Sequence, residues 1–365
     1  MLAKKVQGAG GVGGEAGLHA YVAASVSDML TAIDISPPSS MTISDAYYDA
    51  TVFNNIAAVA TDPTRGLAFT QNYTTGSGYL ASVDISDPTN LSILDSISGQ
   101  QRAEAVAVDA VNEVVFNVDV VPFTSPRRYE LQSWDYSNPS SLTLLDTLSI
   151  FNDPGSNMVV DAVNELLFVN SNSGGSSYIN VIGISNASNL TWLARLGPLT
   201  YDSYEMAVDP TSSVLYVARR TSGSPSFGVL TSIDYSTPTS PSILQQYNGP
   251  SSSYYNAHGI GLDLVNDVVF LAVWRSVGGV FSYGLASVDV SNPSSMSELD
   301  NVTTTDLTNR ENYLAYNDQD GTVYITNDST YTVVSFDVSN PSSLSQLGTI
   351  TSISDLNYAS KIALG

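Results

Sequence analysis

Val83-Asp84-Ile85-Ser86-Asp87-Pro88-Thr89-Asn90-Leu91-Ser92-Ile93-Leu94 is written seven times along the chain. The other versions read IDISPPSSMTIS from Ile33, WDYSNPSSLTLL from Trp134, IGISNASNLTWL from Ile182, IDYSTPTSPSIL from Ile233, VDVSNPSSMSEL from Val288 and FDVSNPSSLSQL from Phe336. Aligned on Asp34, Asp84, Asp135, Gly183, Asp234, Asp289 and Asp337, the copies lie 50, 51, 48, 51, 55 and 48 residues apart. A period near fifty, with several short apolar segments per unit, predicts a propeller or array and outranks any single-residue motif.

Outward from the quoted stretch, the second unit shows four apolar segments: IAAVATD from Ile56, GLAFTQN from Gly66, GYLASVDIS from Gly78 and LSILDSIS from Leu91. Turn residues separate them, as a four-stranded antiparallel sheet requires. We label them strands A to D, from axis to rim. The A–B hairpins open with Asp62, Asp109, Asp161, Asp209 and Asp263, and with Asn317 in the last full unit. Such residues bond their own backbone two positions on and fix the turn. At the C–D corner Pro88, Pro139, Pro238, Pro293 and Pro341 set φ and end strand pairing. Gly183 and Ala187 break that rule, so the fourth corner is expected to be looser.

The first unit starts at strand B, LHAYVAAS from Leu18, and residues 358–364 read as a strand A with nothing after them. Pairing these two closes the ring and removes two exposed sheet edges. The prediction is an all-β, seven-bladed propeller over 17–365, with blade 1 completed by 358–364. Residues 1–16, with five glycines by position 14, read as a flexible tail.

The Asp-Val/Ile-Ser-Asn/Asp-Pro-Ser unit resembles the LVIVD-type repeat of propeller proteins on microbial surfaces. The A–B text, such as AVDPTSSVLYVA from Ala207, is similar to YVTN and NHL-type repeats. The resemblance covers 17–365 and is specific for fold. For function it implies a range, because such families hold binders, scaffolds and a few enzymes.

Composition narrows the partners. The 35 acidic against 12 basic residues give a net charge of −23, which disfavours nucleic acid and anionic membrane. No apolar run is long enough to cross a bilayer, so membrane insertion is not expected. Zero cysteines remove disulfides and thiol catalysis. The N-terminus carries Lys4 and Lys5 but then turns glycine-rich, without the apolar core of a secretory signal.

Two sets of residues are site candidates. By loop assignment Arg127, Arg128, Arg219, Arg220 and Arg275 fall on B–C loops, and Arg102 and Arg310 on D–A loops, all on one face with Trp274. Arginine forks beside aromatic surfaces suit an acidic glycan or a protein receptor. The second set is the ring five residues before each hairpin Asp: Ala57, Glu104, Ser156, Tyr204, His258, Asn312 and Ser360, at the channel mouth. There Glu104 or Glu205 with His258 could act as base and acid. With one histidine in the ring and no repeated carboxylate layer, no catalytic residue, cofactor or metal is assigned. His19 is expected to pack within strand B. Asn317-Asp318-Gln319-Asp320-Gly321 lacks the first aspartate and the final glutamate of a calcium loop.

The favoured expectation at this stage is a non-enzymatic binding propeller on a virion surface, attached to other virion or surface proteins through the tail. The alternatives are a microbial cell-surface adhesin and a lactonase- or lyase-like propeller enzyme.

Overall fold

The computed structural model describes residues 18–72, 78–100, 105–121, 128–150, 157–173, 176–199, 202–220, 229–249, 254–277, 280–308 and 312–365. The tail, with Lys4 and Lys5, lies outside them. Seven four-stranded antiparallel sheets form the blades. Blade 2 has strands Ile56–Asp62, Leu67–Asn72, Gly78–Asp84 and Ser92–Gln100, matching the four segments read from the sequence. Blade 1 is closed by strand Ala359–Leu364, which pairs antiparallel with His19–Ala24 through Ala20↔Leu364 and Val22↔Ile362. His19 packs in that strand, with Nε2 3.1 Å from Ser44 Oγ.

The repeated signature is explained by bonding at the corner. Asp84 Oδ1 accepts the N–H of Ser86 at 2.9 Å, and Asp34, Asp135, Asp234, Asp289 and Asp337 do the same for the serine two residues on. These turns satisfy backbone donors just where strand pairing stops. In the fourth copy Gly183 has no carboxylate, yet Asn186 Oδ1 accepts Ser188 N at 3.0 Å. The Ala187 carbonyl also accepts the Ser133 hydroxyl at 2.6 Å, so this corner keeps the clamp and the second turn but lacks the carboxylate bond that the other six have.

Between blades, strand B supplies a belt of buried aromatic rings: Tyr21, Phe69, Phe116, Phe168, Tyr216, Phe270 and Tyr324. Each sits in a separate apolar cluster shared by adjacent sheets. Near the rim, a strand-D carboxylate reaches the next corner. Asp45 accepts Leu91 N, Asp95 accepts Leu142 N, Asp146 accepts Leu190 N and Asp300 accepts Leu344 N, all at 2.7–2.8 Å. Strand-C serines add a second clamp, as Ser82 Oγ to the Pro139 carbonyl at 2.6 Å. Both clamps are missing between blades 4 and 5. There Ala194 and Val181 take the registers of Asp95 and Ser82, and Pro241, where Leu91 stands in blade 2, has no N–H to offer.

Candidate functional site

The A strands face the central channel, and their sequence sets which groups meet there. Four residues before the hairpin Asp, six of the A strands present Ala58, Ala105, Asn157, Glu205, Gly259 and Tyr313, and strand Ala359–Leu364 adds Lys361. Three of these side chains are polar or charged on one arc, running from blade 5 to blade 1. Across that arc Lys361 Nζ donates to Glu205 Oε1 at 2.7 Å, with the two side chains only 11% and 13% exposed. Their strands stand three blades apart in the ring of seven, so the ion pair spans the channel.

Neighbours hold the pair in place. Ile260 N donates to Glu205 Oε2 at 3.2 Å, and the Lys361 ammonium lies 4.2 Å from the centre of the Tyr313 ring. His258, buried at 3% exposure, is stacked between Tyr204 (ring centroids 3.7 Å) and Tyr313 (5.3 Å, edge-on). Gly259 is required by this crowding, because a Cβ there would lie 2.6 Å from Leu314 N. Asn312 is buried and accepts Asn327 Nδ2 at 2.8 Å.

On the opposite arc the residues are small, and space results. A cavity of about 360 Å³ is walled by strand-A residues of blades 2 to 4, among them Ala58, Ala105 and Val159, with Glu205 and Lys361 at its polar end. Asn157 Oδ1 is the one further polar atom there left without a partner among the described residues. Chemically, the cavity offers an apolar wall facing an ammonium and a carboxylate. Only one of the three ammonium hydrogens is needed for the Glu205 bond, and the carboxylate retains free lone pairs.

Of the channel-mouth residues expected from sequence, Tyr204 and His258 adjoin this cluster, and Glu104 lies outside the described residues. Glu205 was foreseen as a candidate base; Lys361 and Tyr313 were not. The clue available was that Lys361 is the only lysine beyond the tail, one position along from the ring of channel-mouth residues.

The arginine face is less uniform than its loop assignment implied. Arg102, Arg127 and Arg310 lie outside the described residues. Arg128 opens strand Arg128–Asp135 and Arg220 ends strand Val214–Arg220, so neither is a loop residue. Arg219, paired in register with Ser203, is fully buried. Arg275 is half-buried and Trp274 buried within strand Val268–Val277, with the Trp274 ring 5.6 Å from Phe281. The physical reason is strand length: pairing in blades 5 and 6 continues past the points where the apolar pattern fades. Asn317 does what the hairpin aspartates do, its Oδ1 accepting Gln319 N at 3.0 Å, with Gly321 at φ +65° completing the turn.

Comparison with known proteins agrees with this architecture. The LVIVD repeat matches residues 16–49, 72–98, 279–304 and 322–351, so the chain carries the repeat it resembles. No curated protein matches the sequence. A protein from Lactobacillus plantarum superposes with a TM-score of 0.72 at 14% identity, covering 95% of this chain and 99% of its own. The periplasmic gluconolactonase PpgL of Pseudomonas aeruginosa gives 0.72 at 10% identity, covering 95% and 98%. A Bacteroides uniformis protein provisionally named 6-phosphogluconolactonase gives 0.73 at 9% identity, covering 95% and 99%. At these identities the likeness establishes the fold alone. It nevertheless corrects the expectation of a virion surface component: the two of these structures that carry an activity in their names are named lactonases, and none is named as a particle protein.

Proposed function

We propose that the channel site hydrolyses a small sugar lactone. The observation that carries this reading is the Glu205–Lys361 pair at the polar end of a 360 Å³ cavity. The names of the Pseudomonas and Bacteroides propellers favour the same chemistry. In the reaction, water attacks the lactone carbonyl as the Glu205 carboxylate takes its proton. The Lys361 ammonium donates to the carbonyl oxygen as negative charge develops on it. The acyl–oxygen bond to the ring oxygen then breaks, and the proton held by Glu205 passes to that oxygen, leaving the hydroxy acid. Tyr313, beneath the ammonium, fixes its position. The net charge of −23 favours a neutral lactone over its phosphate ester.

The test is base uptake at constant pH with gluconolactone, corrected for spontaneous opening. Wild type should exceed the buffer rate, and Glu205→Gln and Lys361→Met should each lose about 100-fold or more in kcat/KM while retaining native circular dichroism. A wild-type rate equal to that of buffer across a panel of sugar lactones would refute the reading.

A further inference from the structure

From the layer that carries Glu205 and Lys361 toward the A–B hairpins, the channel is lined by a second ring. Side chains two apart along a strand share a face, so the residues two before each hairpin Asp or Asn form it. They are Ala60, Ala107, Ala207 and Ala315, with Val159 in blade 4 and Gly261 in blade 6, and strand Ala359–Leu364 adds Ala363 at the same level. No member of this ring has a polar side-chain atom. The layer before it holds the ammonium of Lys361, the carboxylate of Glu205, the amide of Asn157 and the phenol of Tyr313. The channel thus passes from polar to apolar within two residues, about 6–7 Å of strand.

This ring opens into the cavity of about 360 Å³. Ala60, Val159 and Ala363 line the cavity and remain partly exposed to it. The small side chains keep the lumen wide here, and Gly261 has no room even for a methyl, because a Cβ there would lie 2.7 Å from Tyr316 Cβ. Four residues around the cavity carry polar side chains: Thr61, Asn157, Glu205 and Lys361. The last three belong to the polar layer, and Thr61 donates its hydroxyl to the Leu364 carbonyl. Among the described residues, then, no side chain of the cavity wall offers a donor at the depth of the alanines.

We propose that the alanine ring receives the terminal methyl group of a 6-deoxy sugar, so that the lactone opened in this channel is a 6-deoxy sugar lactone. Its carbonyl lies at Lys361 and its methyl against Ala60, Val159 and Ala363. The proposal rests on the lactone reading and narrows its substrate class. A six-carbon lactone is polar at its carbonyl end and apolar at C6 only when the C6 hydroxyl is missing, which matches the two layers in order. A methyl group entering the ring leaves water for an apolar wall. A hydroxymethyl group in the same place gives up its water with no donor to replace it, and a phosphorylated C6 would bury charge as well.

The experiment is base uptake by the full chain at constant pH with two matched pairs of lactones. These are L-fucono- against L-galactono-1,4-lactone and L-rhamnono- against L-mannono-1,4-lactone, each pair differing only at C6. Wild type should favour the deoxy member about 10- to 100-fold in kcat/KM, the range over which an apolar pocket rejects an added hydroxyl. Val159→Thr sets a hydroxyl in the ring at nearly the same volume and should lower that ratio at least about 5-fold, and Ala363→Ser should do so from blade 1. Equal rates within both pairs, preference for the hydroxymethyl member, or an unchanged ratio in both folded variants would overturn the proposal. The wild-type ratio decides it even where a variant misfolds. Silence toward every lactone would instead sink the lactone reading, and the ring is then judged by ligand-observed NMR with the inert sugars L-fucose and L-galactose. Preferential binding of L-fucose upholds the methyl site; equal or absent binding overturns it.

Discussion

Removing one charge from the channel pair should cost more than removing both. Lys361 and Glu205 meet at 2.7 Å with side chains 11% and 13% exposed, so each is largely stripped of water. In Lys361→Met the carboxylate stays buried, with the Ile260 N–H still donating to it at 3.2 Å. In Glu205→Gln the amide can still accept that N–H, but the ammonium is left against the Tyr313 ring face at 4.2 Å. Stranding a buried charge costs roughly 3–5 kcal/mol, and the slight exposure here places both variants near about 3 kcal/mol. The double variant Glu205→Gln/Lys361→Met keeps the volumes, strands no charge and should lose only about 1 kcal/mol. Urea unfolding of the four proteins gives the coupling free energy of the cycle, expected at about 5 kcal/mol, above the usual range for neighbours because both partners are desolvated. If the two single losses simply add to give the double loss, the pair is two independent side chains. The argument that it is a fixed polar floor for the cavity then fails.

Two other outcomes follow from groups away from the channel. Burial pushes the Tyr21 hydroxyl up to about 12, and burial, then hydrogen bonding to Asp62 and Asp161, raises Tyr136 and Tyr235 further. Above the ordinary value of 10.0 the unfolded chain loses phenolic protons that the folded chain keeps. Stability should therefore be level below that pH and fall above it, by about 1.4 kcal/mol per pH unit for each such tyrosine. Urea midpoints measured through the alkaline range should show a shallower fall in Tyr235→Phe. At the rim, Asp95→Ala deprives the Leu142 N–H of its 2.7 Å bond and should cost about 1.5–3 kcal/mol in chemical unfolding. Ala194→Asp at the 4–5 boundary should gain nothing, since Pro241 offers no donor, and a stabilised Ala194→Asp would contradict the clamp geometry.

The architecture was legible because each of its requirements is stated many times over. A single Asp-x-Ser would be weak, but the same Asx turn demanded at six corners fixes the phase of every blade. Ring closure followed from the same phase, because a strand B without a strand A and a strand A without a strand B have one economical solution. Arg219 shows where that reading stops. Strand pairing through Val214–Arg220 carries its side chain into the interior, and an apolar pattern cannot report where pairing ends once polar residues begin.

The sites lay beyond the repeat for a related reason. Glu205 and Lys361 are 156 residues apart and join strands that never pair, so neither period nor spacing links them. The bonds from the Tyr136 hydroxyl to Asp62 and from the Tyr235 hydroxyl to Asp161, which join neighbouring blades, are nearer to being readable, since all four residues stand at repeat positions. Seeing them required knowing that a corner of one blade reaches the hairpin of the blade before it. What the fold needs is what the copies share, so a residue that differs from its six equivalents is released from that need. Glu205 and Lys361 are such residues. Both bound the channel cavity. In a chain whose common residues are accounted for by turns, clamps and the aromatic belt, chemistry is to be sought where one copy departs from the rest.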